Sequence, residues 1–496
     1  MISSDGPGGS SRSAAPGRAT RGLISIEAHA PSFFERGSLG RVLASRHSWL
    51  VIVAGLFLIY NANFREIGGT DTIPATLLPA AIVAHQTLTL DMFQPLFESD
   101  RHLRSYIKYG GATQTIDGRV FSSYPIGGAI LAAPVYAIPA WLGWLEDWRD
   151  YRVAAKIASS LMVALSGGFV FLLLRRRVAV APALVLTLAY ALGTSAWSTA
   201  SQGPWQHGPG LFTLSLGLLF LQKLEDESKA GYAAVAGAAL AMAVVSRPLN
   251  LLPALLLALF VGVRHRSQWL AFGAPFAGIG AALVAYNVGI FGRLTGGYEA
   301  VYESVPLRSL GLTPDTAFSL PLLEGFANTL ISPSKGLLIF SPFALAGMLG
   351  VVAAWRAREF ALGRYLVAWF LIVLVVLAKN QLWWGGATYG PRYFSELMIP
   401  MILIIGASWP WISARRWLAG AFGTAVVVSI GIQSIGAFYF PCGWDTLPRS
   451  VHAAPGRLWN WHDPEILRCI QQGQRRGTQA FEFLREPRVP KRDMMR

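Results

Sequence analysis

Apolar runs long enough to cross a bilayer recur along this chain, and they constrain its fold more than any other feature. They are too long and too many for a soluble core. Composition agrees: 53% of the 496 residues are hydrophobic, 14% are charged, and the mean hydropathy is +0.43. The expected fold class is an all-α polytopic membrane protein. The net charge of +15 comes largely from arginines between the runs and in the two tails. Charge in that pattern sets orientation and attracts anionic lipid; it implies membrane lipids as partners and no nucleic acid. About 45 polar residues precede the first run, too many for the n-region of a signal peptide, so the first span is expected to remain as an anchor.

Residues 1–45 are rich in Gly, Ser, Ala and Arg and read as a disordered tail. Arg36, Arg41 and Arg46 place that tail in the cytoplasm by the positive-inside rule. Spans are expected near residues 48–60, 154–174, 178–196, 209–222, 231–245, 249–263, 269–291, 336–355, 362–378, 394–412 and 417–440. The run at 124–145 is different, because it holds Pro125, Pro134 and Pro139. If it crossed, Arg175, Arg176 and Arg177 would fall outside. It is therefore expected to be a broken segment along the outer leaflet, with Glu146 to Tyr151 (EDWRDY) as an interfacial turn. Every basic cluster between spans is then cytoplasmic, including those at Arg264–Arg266, Arg356–Arg358 and Arg415–Arg416. The count is about eleven spans, N-terminus inside and C-terminus outside. The chain divides into the tail, a transmembrane domain over 46–440 whose first outer loop (62–153) carries juxtamembrane segments, and an outer cap over 441–496. No internal repeat is evident.

The outer connections are long and hold the unusual residues, and function concentrates in long loops on a rigid scaffold. In NANFREIGGTDTIPATLLP, Asp71 follows the pair Gly68–Gly69. It is placed either to act as a base or to cap the helix starting near Ile73. Arg247 in SRP, Lys335 in SPSKG and Arg392 in YGPRYF put three cations at span ends, suited to a phosphate or to lipid headgroups. Trp383, Trp384 and Tyr389 surround glycines, and Trp205 stands with Gln206 and His207. Such aromatics form either a stacking surface for a sugar or an interfacial belt. His207 reads as an interfacial hydrogen-bonding residue or as a ligand for phosphate or hydroxyl.

The chain has two cysteines, Cys442 and Cys469, both in the tail after the last span. No Cys/His cluster suggests a metal site. A tail in an oxidising compartment would permit a Cys442–Cys469 disulfide, and two unpaired thiols are the alternative.

Asp71 in the first outer loop, YPIGG from Tyr124, GTSAW…QGPWQH, SRP, SPSKGLLIFSP and WWGGATYGPRYF together resemble bacterial membrane glycosyltransferases of the GT-C superfamily. The nearest branch is the group with protein mannosyltransferases and aminoarabinose transferases. The resemblance covers roughly residues 46–440. It implies a GT-C-like fold, a polyprenyl-phosphate sugar donor, and reaction at the periplasmic face of a bacterial inner membrane. A glycan, lipid or protein would be the acceptor. By position it makes Asp71 the base; the departing phosphate would need cations already in place, for which Arg247, Lys335 and Arg392 are the candidates, with Tyr124, Trp205, His207, Trp383, Trp384 and Tyr389 as candidates to face the substrate. The family often has an acidic pair where Thr70 and Thr72 flank Asp71, so a divalent metal stays an open possibility. YPIGG stands where relatives often have His-Pro-Pro. The rival class, a transporter or lipid flippase, would need ionisable or broken-helix features near the middle of several spans. No Walker or GxGxxG sequence points to a nucleotide.

Overall fold

The computed structural model describes residues 45, 47–99, 103–104, 111–302, 310–313, 315–357, 360–476, 478 and 480–485. The expected disordered tail lies outside them apart from Ser45, as do Arg46 and Arg358.

The first helix, α1 (Ser48–Asn61), lies antiparallel to the long α4 (Trp148–Leu174). Two side-chain contacts fix their register. Arg175 Nη1 donates to Ser48 Oγ (3.0 Å) at one end, and Asn61 Nδ2 donates to Ser160 Oγ (2.8 Å) at the other. The first turns of α4 therefore project beyond α1. Two shorter helices pack on this projection: α2 (Ile73–His85) and α3 (Gly127–Trp141). The Tyr136 hydroxyl joins all three by donating to Thr76 O (2.8 Å) and Tyr151 O (3.2 Å). Two sequence expectations need correcting here. α3 is continuous, with Pro134 and Pro139 inside it. Residues 146–151, expected as an interfacial turn, are largely helical: Asp147 caps α4 by accepting from Asp150 N (2.9 Å), so Trp148 to Tyr151 form its first turn.

The remaining expected runs are helical. They are α5 (Val180–Leu192), α6 (His207–Glu227), α7 (Ala230–Ser246), α8 (Leu251–Arg264) and α9 (Trp269–Phe291). After α10 (Leu322–Ile331), which lies in a stretch read as loop, come α11 (Ala344–Arg356), α12 (Gly363–Lys379), α13 (Met398–Ser413) and α14 (Arg416–Tyr439). The run at 336–355 is not one helix. A turn at Leu337–Phe340 stops before Ser341–Pro342, because Pro342 has no N–H to continue it, and Ser341 Oγ instead donates to Gly193 O (2.7 Å). Among the described residues three helices are long and apolar enough to cross a membrane: Trp148–Leu174, Arg266–Phe291 and Arg416–Tyr439. The protein is thus a helical membrane protein, with shorter apolar helices filling in around them.

The all-α expectation also misses a hairpin. Strand β1 (Thr113–Ile116) pairs antiparallel with β2 (Arg119–Ser122), Ile116 opposite Arg119. Asp117 and Gly118 turn between them at φ 49° and 76°, the left-handed pair that a two-residue hairpin needs.

Helix α9 buries only Phe272 fully and exposes Leu270 at 82%, as a lipid-facing helix would. Its hold on the bundle is α7, where Gly237 lies under its backbone: a Cβ there would be 2.1 Å from Phe272 O. Gly237→Ala is expected to push α9 away and cost about 1–3 kcal/mol, read as a lower thermal midpoint in detergent.

The two ends of the bundle differ in chemistry. At one, Arg176 meets Asp226, Glu225 meets Arg264 and His265, and Arg177 stacks over Phe360. These are the connections read as cytoplasmic. The connections read as outer meet at the other end.

Candidate active site

Asp71 lies in a 3-10 turn, Thr70–Thr72, that leads into α2. Thr72 holds the turn: Gly69 N donates to its Oγ1 (2.9 Å), and that hydroxyl donates back to Gly69 O (2.9 Å). No side chain caps α2. The Asp71 carboxylate turns instead to Arg392, whose Nη1 donates to Oδ2 at 2.9 Å. The side chain is 20% exposed, so a second molecule can reach it.

Arg392 lies in the 3-10 turn Arg392–Phe394 ahead of α13. Its guanidinium sits 4.7 Å from the Trp205 ring centroid and 5.5 Å from that of Tyr393. Gly385 and Gly386 adopt φ of 74° and 76° beside it, and a Cβ on Gly385 would fall 3.1 Å from Arg392 Cγ. The glycine pair thus makes room for the arginine stem. Burial, the largest single cause, would lower the Arg392 pKa, but Asp71, Tyr393 and Tyr124 together outweigh it and the net direction is up. Its Nε is buried with no hydrogen-bond partner, an unspent donor beside the carboxylate.

Around this pair stand Tyr124 and Tyr298, edge to face at 5.9 Å, with the Tyr298 hydroxyl donating to Gln206 Oε1 (2.5 Å). Burial raises both phenols, and for Tyr124 the next cause is Asp71. Trp205 is fixed from behind, its indole N–H donating to Ile67 O (2.8 Å).

A second ion cluster lies across the Tyr393 ring. Arg247 Nη1 donates to Glu396 Oε2 at 2.6 Å, and His207 Nδ1 lies 3.0 Å from the same oxygen. The Arg247 guanidinium is 5.6 Å from the Tyr393 centroid. Burial would raise the Glu396 carboxyl, but Arg247 and His207 bring it below its ordinary value. Glu396 escaped the sequence reading. The only signal was an isolated acid ending YFSE before an apolar run.

The structure brings together Asp71, Arg392, Trp205 and Tyr124, with Arg247 and His207 alongside. Four residues expected there lie elsewhere. Lys335 is 1% exposed, its ammonium 2.9 Å from Glu465 and 3.7 Å from Asp445, so carboxylates occupy the place expected for a phosphate. Trp383, Trp384 and Tyr389 are buried beneath the segment after α14 and offer no stacking face. Tyr389 donates its hydroxyl to Ile432 O (2.9 Å) and meets Phe340 edge-on at 5.2 Å. All four were misplaced for one reason: a loop sequence does not show what folds over it.

That cover is the C-terminal cap. Cys442 and Cys469 are joined in a disulfide, Cα–Cα 4.9 Å, which ties the end of α14 to helix α15 (Glu465–Arg476). Burial raises the Glu465 carboxyl above its ordinary value of 4.5, against the pull of Lys335. The folded chain then keeps this proton to higher pH than the unfolded chain, so unfolding releases it and rising pH favours unfolding. This contribution to stability is expected in full below pH 4.5 and lost as pH rises through the raised folded-state value. A thermal midpoint that falls over that interval, and a flatter profile in Glu465→Gln, would show it.

The surroundings of Asp71 do not fit a divalent cation, since the partner of its carboxylate is a guanidinium. Among the described residues no three His, Cys, Asp or Glu side chains gather as a metal site.

No family model matches the chain, and no curated protein matches it. Among solved structures, the apo form of the Archaeoglobus fulgidus oligosaccharyltransferase is similar over 85% of this chain and 61% of that one, at 12% identity and a TM-score of 0.48. The chain thus spans less than two thirds of that protein's length.

Proposed function

We propose that this protein is an integral-membrane glycosyltransferase that moves a sugar from a polyprenyl-phosphate donor to a glycan, lipid or protein acceptor. The observation that carries this reading is the Asp71–Arg392 pair: a reachable carboxylate beside a guanidinium with a buried donor still unspent. The acceptor hydroxyl gives its proton to Asp71 as its oxygen bonds to the anomeric carbon. The bond from that carbon to the phosphate oxygen breaks with its electron pair, leaving polyprenyl phosphate and an inverted anomeric centre. Arg392 meets the charge that grows on the departing phosphate, with Arg247 as a second cation across Tyr393. Tyr124, Trp205 and His207 line the same region. The reaction is assigned to the periplasmic face of a bacterial inner membrane, the N-terminus being cytoplasmic.

Purified protein in nanodiscs, given polyprenyl-phosphate sugars labelled in the sugar, tests this. Label is expected to move to an acceptor with release of polyprenyl phosphate. Label that changes leaflet still attached to its lipid would make the protein a flippase and end the reading.

A further inference from the structure

The loop that presents Arg392 does not determine its own shape. Gly385, Gly386 and Gly390 all have φ between 66° and 76°, so its backbone is among the most permissive in the chain. It must be held from outside. Besides the Tyr389 hydroxyl bond to Ile432 O, the holding contacts come from two buried charges that the proposed chemistry leaves unused.

Glu465, at the start of α15, is 0% exposed and divides its oxygens. Oε2 accepts from the Gly390 amide at 2.9 Å, and Oε1 accepts from Lys335 Nζ at 2.9 Å. Lys335 in turn donates to Thr388 O. One carboxylate and one ammonium thus grip residues 388 and 390 from opposite polarities. Arg392 follows at once, its own amide donating to Gly390 O at 3.1 Å. A buried ion pair is weak support for stability, since an apolar pair of similar size often does as well. Its better-attested use is to fix geometry.

We propose that Glu465, with Lys335, is a positioning residue that sets Arg392 against Asp71, which makes the cap part of the frame of the active site. The inference rests on the glycosyltransferase reading and adds to it a role for residues that touch no substrate. Lys335 thereby passes from phosphate ligand to brace.

A double-mutant cycle tests it. Full-length wild type, Glu465→Gln, Arg392→Ala and the double variant are compared in kcat/KM for sugar transfer and in affinity for polyprenyl phosphate. Glu465→Gln keeps Asp445 as counter-charge to Lys335 but can satisfy only one of the two donors. It is expected to lower both quantities about 10-fold, and the double variant is expected to match Arg392→Ala, because a brace has nothing to act on once the arginine is gone. A general structural role gives a further loss of the same factor in the double variant. That additive result, or wild-type behaviour of Glu465→Gln, overturns the inference and leaves the reading beneath it standing. A wild type that neither binds polyprenyl phosphate nor transfers sugar overturns the reading itself. Should Glu465→Gln not fold, Lys335→Gln takes its place in the cycle, with the same outcomes deciding.

Discussion

Asp71→Asn is expected to lower sugar transfer by about 10²–10⁴-fold, the usual range for loss of a general base, while the thermal midpoint and membrane insertion hold. The substitution keeps size and hydrogen-bonding shape and removes the site for the proton. A capping role predicts a different result, because asparagine caps a helix about as well as aspartate. In the structure the carboxylate faces Arg392 and no side chain caps α2. Loss of the ion pair also frees the Arg392 guanidinium, so polyprenyl phosphate is expected to bind the variant at least as tightly as wild type. An Asn variant that transfers at the wild-type rate removes Asp71 from the mechanism.

The largest expected effect on stability is from Arg152→Ala. Arg152, on the first turns of α4, bonds Glu66 Oε2 at 3.2 Å and Glu482 Oε1 at 2.8 Å, with the Phe483 ring 5.5 Å from its guanidinium. The Glu66 side chain is 7% exposed, and burial already raises its pKa against the pull of Arg152. Removing the arginine leaves a buried carboxylate without this cation, at an expected cost of about 3–5 kcal/mol, less whatever Glu66 recovers by taking a proton. Thermal unfolding in detergent reads the loss. Residues 480–485 should also become open to limited proteolysis. An unchanged midpoint would mean that this bridge is of no consequence to the fold.

The helices were legible because an apolar run between basic clusters carries its own signal, as 269–291 does: the expected span and the observed helix coincide. Departures came where one residue outweighs a run. Pro342 divides an apolar stretch, and Asp117–Gly118 folds a hairpin inside a loop. The site was legible by residue type and not by pairing. Asp71 and Arg392 are both conspicuous, yet 321 positions separate them, and no local pattern joins them. Lys335 and Tyr389 were misplaced because the cap that buries them is contributed by residues that follow in sequence. Glu396 was missed because its importance lies in what it holds, Arg247 and His207, each on a different helix end.

The short segment at 480–485 bears on how Asp71 is held. Phe481 N donates to Asn63 O (2.7 Å) and Phe483 N to Phe64 O (3.0 Å), which clasps the strand of chain leading to Asp71. Phe64 and Phe481 both hold left-handed backbones, at φ 46° and 67°, which bulky residues adopt only when neighbours impose it. The chain ahead of Asp71 is therefore held by residues distant in sequence, and cutting 480–485 away is expected to release it. The backbone on which Asp71 sits thus depends on a contact that no local stretch of sequence encodes.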